Sequence, residues 1–358
     1  MLFDAYELGP IHLANCIVMA PLTRSRAVDR NIPNALMAEY YGQRATAGLI
    51  ITEGTSPSPN GLGYARIPGL FDAEQTAGWK LVTDAVHAKG GKIFIQFMHT
   101  GRVSHQANLP SNARVIGPSP EVCPGEMWTD GAGMQPHTAP NPMTAADISE
   151  AVGEFAHASK LAIEAGFDGV ELHAANGYLI EQFLNPQVNK RIDNYGGSAE
   201  NRNRFALEVV NATIAAIGAE RVGIRVSPFG TFNGTGAFDG IEAQYLSLAE
   251  TLGKLGLAYL HLVDHSSMGA PVVPATFKAD LQRAFGRTFI ASGGFDGKTA
   301  EEALQQKRGD LVAFGRHMLA NPDLVARLKA GAELNAPDAS TFYTPGPKGY
   351  TDYPALAA

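Results

Sequence analysis

Eight short apolar runs recur along the chain, each followed by a segment with helical spacing. That rhythm restricts the fold more than any other feature. The runs are Cys16-Ile-Val-Met-Ala-Pro21, Leu49-Ile-Ile-Thr-Glu53, Lys92-Ile-Phe-Ile-Gln96-Phe-Met98, Phe167–His173, Val222-Gly-Ile-Arg225-Val226, Ala258–Val263, Thr288–Ala291 and Asp310–Phe314. Their length and their turn-forming neighbours read as buried strands. Helical spacing occupies 34–47 (Leu36, Tyr40, Tyr41, Ala45) and 73–89, where Trp79, Leu81, Val82 and Val86 are expected to face inward. Thr144, with Asp147 three residues on, caps a helix reaching about Ala165. Further helices are expected at 200–218, 242–255 and 276–285, from 299 onward, and at 321–330. Strand–helix alternation implies parallel pairing. Eight units without a second core predict an α/β chain folded as one (β/α)8 TIM barrel over residues 1–358. The rival is a doubly wound nucleotide-binding sheet, but its GxGxxG turn is absent from the sequence.

Three stretches stand outside the rhythm. Residues 3–13 alternate weakly around Gly9-Pro10 and predict a short hairpin capping the barrel. Residues 99–143 follow the third strand and are rich in Pro, Gly, Ser and Asn. A loop this long in a compact chain is usually functional, and an excursion over the barrel top is expected. The tail, 336–358, is rich in Pro, Gly and Tyr.

Charge narrows the partners. The net charge of the 358 residues is −7, and the basic residues are scattered. This argues against nucleic acid and anionic membranes as main partners. The two cysteines, Cys16 and Cys123, form no CxxC and no metal-ligand pattern. With no apolar leader-like run at the start and no run long enough to span a bilayer, a cytoplasmic protein is expected.

In a TIM barrel, catalytic groups lie at the C-terminal ends of the strands. Those ends read Thr23, Glu53-Gly54, Gln96 to His99, His173 to Tyr178, Arg225, Asp264-His265, Ser292-Gly293-Gly294 and Gly315-Arg316. A Schiff-base aldolase needs a lysine at one of them, and none carries one. A metal hydrolase needs converging ligands. His99, His173, His265 and Glu53 are spread singly, so this reading is a minority one. A phosphate-bearing cofactor needs approachable backbone N–H groups after strands seven and eight. Gly293-Gly294 and Gly315, with the charge of Arg316, meet that need. Gln96, Arg225 and Thr23 then suit a flat heteroaromatic ring, since Arg225 is costly to bury without a negative partner.

The sequence resembles the old yellow enzyme family of FMN-dependent ene-reductases along nearly its whole length. The residues that carry the likeness include Ala20-Pro-Leu-Thr23-Arg-Ser-Arg26, Gly61-Leu-Gly-Tyr64, Gln96-Phe-Met-His-Thr-Gly-Arg102 and Gly169-Val-Glu-Leu-His173-Ala-Ala-Asn176-Gly-Tyr178. They continue through Arg191-Ile-Asp-Asn-Tyr-Gly-Gly197, Gly223-Ile-Arg225-Val-Ser-Pro228, Phe314-Gly-Arg316 and Gly349-Tyr-Thr-Asp-Tyr-Pro354. The resemblance implies non-covalent FMN contacted by Pro21, Thr23, Gly54, Gln96, Arg225, Gly293, Gly294, Gly315 and Arg316. It implies that His173 and Asn176 grip a substrate oxygen, that Tyr178 donates a proton, and that Tyr64, Met98 and Tyr343 line the substrate side. NADPH or NADH would supply hydride, electron-poor alkenes would receive it, and the protein would be a monomer or homodimer. Thr23 places the chain nearer the family's classical branch, with N-ethylmaleimide and xenobiotic reductases.

Two departures stand out. Phe97-Met98 replaces a frequent Leu-Trp, which predicts a roomier pocket. The segment His261-Leu-Val-Asp-His-Ser-Ser-Met-Gly-Ala-Pro271 fits the family pattern poorly. Related flavin barrels with an iron–sulfur cluster need four cysteines. A flavin binder without turnover would not need His173, Asn176 and Tyr178 together.

Overall fold

Local sequence chemistry sets where each element of the barrel starts and stops. The computed structural model describes residues 1–356. A hairpin of β1 (Tyr6–Leu8) and β2 (Ile11–Leu13) opens the chain. β3 (Ile17–Met19), α1 (Ala35–Gln43), β4 (Leu49–Thr55), α2 (Ala73–His87) and β5 (Ile93–Phe97) begin the barrel. The excursion carries β6 (Ile116–Gly117), the hairpin β7 (Glu126–Thr129) and β8 (Gly133–Pro136), and β9 (Asn141–Pro142). Then follow α3 (Ala145–Glu164), β10 (Gly169–Ala174), α4 (Leu179–Leu184), α5 (Ala199–Ile217), β11 (Val222–Val226) and α6 (Ile241–Lys254). β12 (Tyr259–Val263), α7 (Ala275–Phe285), β13 (Thr288–Ser292), α8 (Gly297–Gln305), β14 (Leu311–Phe314), α9 (Arg316–Ala320) and α10 (Leu324–Ala330) complete it.

Eight strands close in the order β10-β11-β12-β13-β14-β3-β4-β5, with every neighbouring pair parallel. This is the expected (β/α)8 barrel. Strand and helix side chains share one continuous apolar core. Among the described residues no helix is long and apolar enough to cross a membrane.

The hairpin cap lies across the start of the strands. Tyr6 shares a hydrogen bond with Thr288 at 2.8 Å, while Leu8 and Leu13 are buried. Thr144 and Asp147 form the reciprocal cap expected at the start of α3.

Several boundaries differ from the sequence reading. Leu81 is 51% exposed. Trp79, Val82 and Val86 make one stripe at i, i+3 and i+7, and Leu81 falls off its edge. α8 begins at Gly297, because Asp296 and Thr299 cap each other there. α10 begins only at Leu324. The five-residue α9 and six-residue α4 are too short to show a helical period. The excursion holds a real hairpin, whose four-residue strands are too short to reveal alternation.

Candidate active site

Past the end of β10, Asn176 (φ 59°) and Gly177 (φ 77°) both adopt left-handed backbone. Asn tolerates that conformation and Gly prefers it. The Asn176 N–H donates to Ser227 Oγ at 2.8 Å, and its carbonyl accepts from Asn233 Nδ2 at 2.7 Å. The Gly177 N–H donates to Glu181 Oε2 at 2.6 Å. A Cβ at Gly177 would lie 2.7 Å from the Phe232 carbonyl, so the turn admits no larger residue. Tyr178 then takes the extended position just before α4, and its side chain makes no capping hydrogen bond.

This turn brings His173 and Tyr178 together beside Tyr64. His173 is buried, and its ring meets Tyr178 edge-on at 4.9 Å. Burial, and after it Arg225, hold His173 well below the usual imidazole range, so the ring is neutral. The Tyr178 hydroxyl shares a hydrogen bond with that of Tyr64 at 3.1 Å, and burial pushes it up to about 12. Both phenols open onto a cleft of about 850 Å³ that Thr23, Tyr343, Met127 and Trp128 also line. Met98 is not part of that lining. It is 1% exposed and packs beneath Gly54, whose added Cβ would lie 2.6 Å from the Met98 sulfur. Met98 instead packs in one small apolar cluster with Leu62, Val103 and Tyr178, against which Tyr64 rests.

A second layer lies deeper in the barrel. Gln96 Nε2 donates to Glu171 Oε1 at 2.7 Å, and Glu171 Oε2 pairs with His261 Nδ1 at 2.9 Å. Arg225 sits opposite His173 in the β10–β11 register. Among the described residues, Arg225 Nε and His173 Nδ1 are buried without hydrogen-bond partners. A buried guanidinium lacking a partner is costly, and the two neighbouring groups are free to meet a polar ligand.

The ends of β13 and β14 are more open than those of the other strands. Ala291, Ser292, Gly293 and Gly315 are half-buried, and Gly294 and Arg316 are exposed. Gly294 has φ 72°, and a Cβ there would lie 2.6 Å from Ser267. Pro21 is buried just after β3. In β4 a register shift between Ile51 and Gly54 sets Gly54 opposite Gln96. It turns Glu53 outward, where the Arg24 and Ser25 N–H groups and the Tyr41 hydroxyl donate to it. Glu53 is thus unavailable as a ligand. Among the described residues no three His, Cys, Asp or Glu side chains are grouped as a metal site would require.

Sequence reasoning did not single out Glu171, Glu181, Ser227, Asn233 or a role for His261. A signal existed for Glu171, which lies two residues before His173 on one strand and so shares its face. Ser227 lies within the Gly223–Pro228 stretch of the family likeness, but that it and Asn233 reach Asn176 follows only from the fold.

The family model described as the NADH:flavin oxidoreductase / NADH oxidase family matches residues 1–335. A probable flavin mononucleotide-dependent alkene reductase of Leishmania infantum is 43% identical over 355 residues, covering 98% of this chain and 96% of that protein. Morphinone reductase in complex with tetrahydroNAD superposes with a TM-score of 0.94 at 44% identity, covering 99% of this chain and 98% of that one. The old yellow enzyme homologue from Zymomonas mobilis gives a TM-score of 0.95 at 37% identity, with 99% of each chain covered.

Proposed function

The chain belongs to the old yellow enzyme family of FMN-dependent NAD(P)H ene-reductases, and on that premise we propose that it reduces electron-poor C=C bonds at the His173–Asn176–Tyr178 turn. Enones, enals, maleimides and nitroalkenes are the substrate class. Residues 1–358 work as a single domain, and the lack of any basic stripe in a chain of charge −7 favours small molecules as partners. Two buried free cysteines suit a reducing, cytoplasmic setting.

The residues fit FMN. Arg225 Nε is a buried donor without a partner, suited to a ring edge that gains negative charge. Glu171 takes an amide N–H of Gln96, which leaves the Gln96 carbonyl to accept from a ring N–H. Thr23, Pro21 and Gly54 flank the same barrel mouth. Gly293, Gly294, Gly315 and Arg316 supply open backbone and charge for a phosphate. When bound there, flavin would supply hydride chemistry, with NADPH or NADH as the donor and the alkene as the acceptor.

The protein's own groups do the rest. Neutral His173 and the Asn176 carboxamide donate to the substrate oxygen, where enolate charge develops; one such donor is worth about 3 kcal/mol. Tyr178 delivers a proton to the α-carbon. A phenol pushed up to about 12 is fully protonated at neutral pH and still acid enough for a carbanionic centre. Tyr64, hydrogen-bonded to it, leads toward the open cleft and reloads the proton. Tyr343 lines the substrate side. The observation that carries this reading is the pair of buried, partnerless groups, His173 Nδ1 and Arg225 Nε, on adjacent strands in register.

Anaerobic stopped-flow of the holoenzyme tests it. Tyr178→Phe should slow alkene reduction by about 10²-fold or more while flavin reduction by NADPH stays within about twofold. Equal loss in both half-reactions would remove Tyr178 from the proton-donor role.

A further inference from the structure

The segment that departs from the family pattern, 261–271, touches the proposed oxygen grip at one point. His265 Nε2 lies 2.8 Å from Asn176 Oδ1. A carboxamide oxygen only accepts, so Nε2 carries the proton and His265 is the donor. We infer that His265 is a positioning residue that locks the Asn176 carboxamide with Oδ1 turned toward the β12 loop and Nδ2 presented to the substrate oxygen.

The backbone of Asn176 is held by Ser227 and Asn233, which leaves rotation of the amide as its main freedom. A flipped amide would aim its carbonyl oxygen at the developing enolate, replacing attraction with repulsion. His265 is itself built to hold one pose. Its carbonyl accepts from the Met268 and Ala270 N–H groups at 2.8 and 3.2 Å. Its ring meets Phe232 edge-on at 4.6 Å. The preceding Asp264 is tied by Lys278 and by the Ser266 N–H. Burial, and after it Arg225, push His265 down to about 4, so the donor is a neutral imidazole across the working range. Among the described residues, the hydrogen bonds of Asn176 engage its N–H, C=O and Oδ1 and leave Nδ2 without a protein partner.

This inference rests on the reading of Asn176 as an oxygen donor, and the test separates the two. The holoenzyme is titrated with p-chlorophenol, whose phenolate gives a long-wavelength charge-transfer band over oxidised flavin. His265→Leu should raise the Kd about tenfold, the weight of one hydrogen bond. His265→Gln, which keeps an N–H donor, should recover most of the loss. In an Asn176→Ala background, His265→Leu should change the Kd by less than about twofold. Unchanged binding in His265→Leu, or the same tenfold loss with and without Asn176, overturns the positioning role. If His265→Leu loses flavin, His265→Met gives the same comparison. An Asn176→Ala enzyme that binds phenol as the parent does would sink the oxygen grip itself, and the role of His265 with it.

Discussion

Asn176 shows how much of this site is made by single residues far apart in sequence. Its left-handed backbone is allowed because Asn tolerates it, and it is fixed because Ser227, Asn233 and the Gly177–Glu181 bond hold both sides. Glu181 adds a pH dependence. Burial raises its carboxyl to about 7, against hydrogen bonds from Gly177, Ser227 and Tyr245 that lower it. The native state therefore keeps a proton that the unfolded chain releases above its ordinary value of 4.5. By linkage, stability from this group falls as pH rises from 4.5 to about 7 and is level beyond. Thermal unfolding of the parent and Glu181→Gln across that range should show the parent losing ground with rising pH. Parallel profiles would exclude Glu181 as the source.

At the scale of elements, the joins between strands carry the constraints. Asn15 Oδ1 accepts from the Ile17 and Gly48 N–H groups at 3.1 and 2.8 Å, and Asn15 Nδ2 donates to the Thr46 carbonyl at 2.9 Å. One side chain thus aligns the starts of β3 and β4. An added Cβ at Gly48 would overlap the Asn15 carbonyl oxygen, which is backbone and cannot swing away. Gly48→Ala should cost about 1–3 kcal/mol in urea unfolding and leave alkene turnover per bound flavin unchanged, because the strain lies at the closed end. Loss of turnover without loss of stability would contradict this. The strand–helix units were legible in the sequence because each is a local pattern: an apolar run, a helical stripe, a cap such as Thr144. The short α4 and α9 and the excursion hairpin were not, because fewer than two helical turns or four residues of strand carry too little period.

Across the whole molecule, the C-terminal tail lies beyond residues 1–335 of the family match, yet it straps the barrel mouth. Tyr350 stacks on Tyr40 at 4.0 Å, and the guanidiniums of Arg24 and Arg26 lie 5.1 and 4.7 Å from its ring centroid. Arg26 donates to the carbonyls of Thr341, Phe342, Gly346 and Lys348. Arg66 holds the Tyr343 carbonyl at 2.9 Å, which sets that residue beside the cleft. The Tyr350 hydroxyl has no partner among the described residues. Tyr350→Ala should therefore cost about 3–5 kcal/mol. Tyr350→Phe should stay within about 1 kcal/mol, since it removes only an unpaired hydroxyl. Equal losses measured by denaturant unfolding would show that the hydroxyl, not the stacked ring, matters.

The closed barrel, its hairpin cap and the residues of the His173–Tyr178 turn follow from local order along the chain, because periodicity and turn chemistry act over a few neighbouring residues. What those residues meet depends on how the barrel closes. Closure set Glu171 between Gln96 and His261, turned Glu53 out of the barrel, buried Met98 behind Gly54 and brought His265 to Asn176. These contacts join different strands, and their partners follow from the barrel's closure and stagger rather than from spacing along the chain.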